Sequence, residues 1–159
     1  MAACGSPSGP SPTPSPLAQA QLQRLYKNAA NAYNTAEVPL AQAEYGYCVA
    51  KSPPGDLMKC ETALSQVRQA TITYDNSLRG LVFPAAAKTD VAKLLGDDTQ
   101  LETLLQQAST APSLSAVTAL TPQIFAFITT TNADANRLRT DLGLPEATPL
   151  PTPTAPPAA

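Results

Sequence analysis

The stretch LMKCETALSQVRQATITYDNSLRGL, residues 57–81, decides the fold. Leu57, Cys60, Leu64, Val67, Thr71, Tyr74, Leu78 and Leu81 recur at alternating steps of three and four, the spacing of one face of an α-helix. Asp56 stands just before the run, where its carboxylate can accept a hydrogen bond from the first free backbone N–H groups, so it reads as the N-cap. A helix of this length with one apolar stripe cannot bury that stripe alone. The chain must supply partners on both sides.

It supplies three. Upstream, Leu22, Leu25, Ala29, Ala32, Ala36, Leu40, Ala43 and Tyr47 keep the same spacing across Pro39, which removes one helical hydrogen bond and predicts a kink rather than an end. Downstream, Pro84 opens a third segment that carries Ala87, Val91, Leu94, Asp98, Leu101, Leu105 and Ala108 on its stripe. The fourth is predicted to begin at Thr121-Pro122 and to bury Ile124, Ile128, Thr131, Ala135, Leu138 and Leu142. Gly143 and Pro145 mark its end, the first by tolerating a left-handed turn and the second by forbidding continuation. Ser113 to Leu120 is read as one or two separate helical turns. Short connections make neighbours antiparallel, so the expected fold is all-α, an up-down-up-down four-helix bundle over residues 17–147. A three-helix domain with a loose first segment is the alternative.

The ends differ from this core. Residues 5–16, GSPSGPSPTPSP, hold five prolines and no apolar side chain beyond them, and residues 148–159 hold five more with no charge. Both are expected to be disordered, and the first, at ~3.1 Å per residue, reaches roughly 37 Å as a tether. Ten basic and twelve acidic residues are spread along the chain, giving a net charge of −2 without a basic stripe, which argues against nucleic acid as a partner. No apolar run approaches the ~20 residues that span a bilayer, so the folded part is expected to be soluble, and monomeric. There is no His, which removes the commonest general base and metal ligand; Ser-His and Cys-His arrangements cannot form. No phosphate loop or dinucleotide fingerprint is present. Neither an enzyme nor a cofactor is expected.

Met1-Ala2-Ala3-Cys4-Gly5-Ser6 resembles the processing site of a bacterial lipoprotein, with Ala2 and Ala3 as the small residues before a lipidated Cys4. Leu is usual where Met1 stands, and the basic and apolar parts of a leader are missing, so the chain is read as truncated near its cleavage site. The other reading makes Met1 a true start and Cys4 an unpaired thiol. Two further stretches, Val82-Phe-Pro-Ala-Ala-Ala-Lys-Thr-Asp-Val-Ala-Lys-Leu-Leu-Gly-Asp-Asp98 and Leu138-Arg-Thr-Asp-Leu-Gly-Leu-Pro145, are similar to a lipoprotein group of high-GC bacteria. Phe83 stands where that group often has Trp. The resemblance implies an extracytoplasmic protein anchored to the cell membrane by lipid on Cys4, and no activity.

With Cys4 so assigned, Cys48 and Cys60 remain as a pair on either side of the turn Lys51-Ser-Pro-Pro-Gly-Asp56. A structural disulfide there clips the base of a helical hairpin and requires an oxidising compartment. A redox centre would need closely spaced thiols, and zinc would need more ligands.

Two candidate sites stand out. Asp98, beside Asp97, falls on the apolar seam of the third segment, so its charge must be paired, with Arg68, Arg79 or Arg137 as candidates, or meet solvent or ligand. The second is a set of tyrosines, Tyr26, Tyr33, Tyr45, Tyr47 and Tyr74, that can line a groove or serve as core with wet hydroxyls. Two functions follow as expectations. One is protein–protein contact through a bundle face, by a lipid-anchored envelope protein; the other is a binding module for a small apolar or amphipathic ligand between helices, near Tyr33, Tyr74 or Phe125.

Overall fold

A computed structural model describes residues 16–49 and 55–147, and within them the chain is all helix and turn. Helix α1 spans Pro16–Glu44, α2 Leu57–Arg79, α3 Lys88–Ser109 and α4 Leu114–Asp141. A π-helical turn, Tyr45–Val49, follows α1, and a single 3-10 turn, Ala85–Ala87, leads into α3. Cys4, the tether and residues 148–159 lie outside the described residues, as do the side chains of Leu40, Ala43 and Tyr45.

The helices pack in chain order, α1 on α2, α2 on α3 and α3 on α4, in an up-down-up-down bundle. Side chains close the ring: Gln23 Nε2 of α1 donates to the Leu142 carbonyl at 2.6 Å, and the Tyr26 hydroxyl donates to that of Ala135 at 3.4 Å. The start of α1 and the end of α4 therefore share one end of the bundle. The other end holds the Cys48–Cys60 disulfide, with the two Cα atoms 5.0 Å apart. Both cysteines are buried, among Leu64, Val67, Leu105 and Val117.

Helix α2 follows its sequence closely. The Asp56 carboxylate accepts from the Lys59 N–H at 3.1 Å, and Cys60, Leu64, Val67, Thr71, Tyr74 and Leu78 are all buried. The stripe of α3 is buried throughout, Asp98 included. Its proline sits one step earlier than expected: Pro84 is extended and caps the 3-10 turn, and the α-helix begins at Lys88.

Two expectations need correction. On α1 the buried face is set by Tyr26, 1 % exposed, with Leu22, Ala29, Ala30 and Tyr33 packed beside it, whereas Leu25 is 40 % exposed and Ala32 and Ala36 face solvent. Tyrosine rings bury far more area than alanine methyls, so they fix the rotation of the helix. Pro39 lies inside a helix that continues to Glu44. On α4 the start is Leu114, not Thr121. Ser113 is the N-cap, accepting from the Ala116 N–H at 3.2 Å, and Pro122 sits within the helix. Pro122 is exposed, so solvent can serve the Thr118 carbonyl that its missing N–H leaves free. Ser113→Ala is expected to cost about 1 kcal/mol in urea unfolding, and Thr121→Ala much less. Equal costs for both would place the helix start elsewhere.

The end of α4 is as the sequence indicates. Gly143 takes a left-handed φ of 68°, and its N–H and that of Leu144 return to the carbonyls of Thr140 and Arg139 at 2.9 and 2.8 Å.

Candidate functional site

The core divides into two apolar parts. One, at the disulfide end, contains Leu64, Val67, Leu101, Leu105, Val117 and Ile124; the other contains Tyr26, Leu78, Leu94 and Leu138. Between them lies a buried polar layer with Thr71 and Asp75 from α2, Asp98 from α3 and Thr131 from α4. Tyr33 of α1 and Tyr74 of α2 border it, their rings 5.2 Å apart and tilted.

Asp98 is 4 % exposed and Asp75 fully buried. None of Arg68, Arg79 and Arg137 pairs with Asp98. The Asp98 carboxyl lies against that of Asp75 across the α2–α3 interface, where Asp75 Oδ1 is buried without a hydrogen-bond donor; a proton on Asp98 supplies one, because two carboxylates have none to donate. The other Asp75 oxygen, Oδ2, accepts from Arg79 Nη2 at 3.2 Å, and the Arg79 guanidinium reaches water at the rim. Burial, then the neighbouring Asp75 charge, pushes the Asp98 carboxyl up to about 8. Burial also raises Asp75, to about 6, with Asp98 and Arg79 opposing the shift. The pair is therefore an acid and a carboxylate sharing one proton near neutral pH.

Two of the tyrosines around the pair have their polar tips engaged with each other. The Tyr74 hydroxyl donates to that of Tyr26 at 3.5 Å, while the Thr71 hydroxyl near Tyr33 donates to the Val67 carbonyl at 3.2 Å. Burial holds all three phenols above their usual range. Asp98, Tyr33 and Tyr74, all three chosen from sequence, thus meet around one layer, while Tyr47 lies at the disulfide end under the Lys59 ammonium, 5.3 Å from its ring.

Asp97 and Asp98 are split by the helix turn. Asp97 faces α4, where Lys93 Nζ donates to Asp97 Oδ2 and to Asp134 Oδ2 at 2.7 Å each, and Arg137 closes on Asp134 from its own helix. Burial works against the Asp134 charge, yet Lys93 and Arg137 outweigh it and hold that carboxyl below its usual range. Asp134 and Asp75 were both missed by the apolar stripes. The available signal is the basic residue one turn on, Arg79 after Asp75 and Arg137 after Asp134.

A different feature faces outward. From Leu114 to Ala133 α4 carries no charged residue, and Phe125 on it is 49 % exposed. By length and composition α4 is long and apolar enough to cross a membrane, a property its many threonines concealed in the sequence. Its charged last third is instead tied into the bundle through Asp134 and Leu138.

Among the described residues, no group of three His, Cys, Asp or Glu side chains is placed to hold a metal ion. No family model matches the chain, and no curated protein or solved structure shows significant similarity to it.

Proposed function

We propose that this is a lipid-anchored envelope protein that presents one face of its bundle to another protein, without enzymatic activity. The observation that carries the reading is the uncharged length of α4 with the Phe125 ring half in water. Exposed aromatic surface free of charge is the composition of interface centres. The uncharged part of α4 begins at the disulfide end of the bundle, opposite the start of α1. A buried disulfide is consistent with an oxidising compartment.

The reading as a ligand-binding module draws less support. Phe125 lies outside the core, and the Tyr74 hydroxyl is already engaged with that of Tyr26.

The anchor is tested in cells that make the protein from its own gene. Cys4→Ala is expected to move it from the membrane to the soluble fraction and to abolish labelling by an alkyne fatty acid. Membrane association that survives the substitution, or no label on wild type, would sink the anchor. The contact face is tested separately by a photo-cross-linker in place of Phe125.

A further inference from the structure

The polar layer between the two apolar parts of the core leaves one demand unmet. Asp75 is fully buried, Arg79 serves its Oδ2, and its Oδ1 has no donor among the described residues. Asp98 lies against it and supplies a donor only while it holds its own proton. The surrounding acids add negative charge rather than donors: Glu37 on α1, Asp97 and Glu102 on α3. On α4 the Thr131 hydroxyl is spent on the Ile128 carbonyl at 3.2 Å, and Lys93 and Arg137 are both engaged with Asp134. Once Asp98 ionises, the layer lacks a second cation.

The layer also has an approach. Helix α1 packs along α2, α2 along α3 and α3 along α4, but among the described residues α1 and α4 meet closely only where Gln23 and Tyr26 reach Leu142 and Ala135. The two helices run antiparallel, so Tyr33, two turns beyond Tyr26, comes level with Ile128 and Thr131, one to two turns before Ala135. Tyr33, Glu37 and Ile128 are only half-buried along this seam. Tyr33 thus has water on one side and, on the other, the Tyr74 ring 5.2 Å away and the charges of Asp98 and Asp75.

We propose that the Asp75–Asp98 pair, bordered by the Tyr33 and Tyr74 rings and reached through the α1–α4 seam, binds the ammonium head of a small primary amine. An ammonium brings three N–H donors and one positive charge, which suits two carboxylates. A metal ion needs more ligands, and among the described residues no third acidic or thiol side chain is placed to join the pair. Aromatic faces attract a cation, and the alkyl part of the amine has the half-buried Ile128 to lie against. Binding exchanges the proton of Asp98, released to water, for the ammonium, so affinity is greatest where that acid has ionised and falls as the pH is lowered. The site uses the rings of the tyrosines rather than their hydroxyls and does not include Phe125, so it is independent of the contact face on α4.

The probe is n-butylammonium chloride on the purified full-length chain, with n-butanol and sodium chloride at equal concentration as controls. At about pH 8 it should raise Tm by several degrees and, in calorimetry, release about one proton per amine bound. At about pH 5 its affinity should be roughly tenfold weaker or more. Asp98→Asn should abolish the response while leaving helicity by circular dichroism unchanged. Tyr33→Phe keeps the ring and should retain wild-type affinity, whereas Tyr33→Leu should weaken it several-fold. No rise in Tm at about pH 8, an equal rise with butanol, or a rise that survives Asp98→Asn would overturn the proposal. So would an equal rise with sodium chloride, which would give the pair to an inorganic cation. Should Asp98→Asn fail to fold, the wild-type proton release and the Tyr33 variants decide: no release, or equal affinity for the two variants, counts against the site.

Discussion

Raising the pH from about 4 to about 8 is expected to lower the stability of the bundle by a few kcal/mol, roughly 10 °C in Tm for a chain of this size. The cause is the Asp75–Asp98 pair. Both carboxyls hold their protons more tightly folded than unfolded, where the value is about 3.9, so the stability they contribute is full below that value and is lost as the pH rises through the folded values of about 6 and about 8. Above that range two buried carboxylates face each other with Arg79 as the cation in contact. Other groups at the layer do not relieve them: Tyr33 and Glu37 approach from α1, and Asp97 and Glu102 from α3. Asp98→Asn puts an uncharged amide, able to donate to Asp75 at every pH, in place of an acid that ionises as the pH rises. It should flatten the fall in Tm and leave the variant more stable than wild type on the alkaline side. A wild-type Tm that holds or rises between pH 4 and pH 8, or an Asp98→Asn profile parallel to wild type, would remove the shared proton. Asp134 runs the other way: its carboxyl is held low, so its contribution is lost as the pH falls.

The Cys48–Cys60 disulfide carries the other large effect. Replacing both cysteines with alanine is expected to cost about 3 kcal/mol, because a bond across twelve positions restricts the unfolded chain. The loss should be felt first at that end of the bundle. There the bond joins the π-helical turn to the first turn of α2, beside the Asp56 N–H donating to the Tyr47 carbonyl at 3.0 Å. Hydrogen exchange should quicken in Gly46–Val49 and the start of α2 while the Tyr26 end stays protected. Alkylation of the protein taken from its own cells, with and without prior reduction, provides the check on the native bond. Two thiols alkylated without reductant would remove it.

Where the sequence was legible, one side chain at a time was enough. Leu64, Leu78, Leu94 and Leu105 announce a buried face by spacing alone, and Asp56 and Gly143 mark helix ends by local chemistry. The misreadings arose where burial depends on size or on a neighbour from elsewhere in the chain. Counting Ala32 and Ala36 as equal to Tyr26 and Tyr33 rotated α1 away from its true face. Pro122 looked like a first helical residue because nothing nearby reveals that the turn begun by Ser113 continues through it. Asp98 was visible on its stripe, but its neighbour was not: Arg79 one turn on hints at an acid at Asp75, yet no pattern within α2 states that a carboxyl from α3 lies against it. The outward face of α4 was hidden for a related reason, since its threonines and alanines look polar or neutral singly and become an uncharged surface only together.

The claim that α4 is the contact surface is tested most directly by placing a photo-cross-linking residue at Phe125, and in a parallel strain at Met58 on α2, in cells that carry the anchored protein. The expected result is one discrete protein adduct from position 125 and none from position 58, although Met58 is the more exposed side chain. Adducts of equal yield at both positions, or none at 125 in protein shown to be anchored, would contradict it.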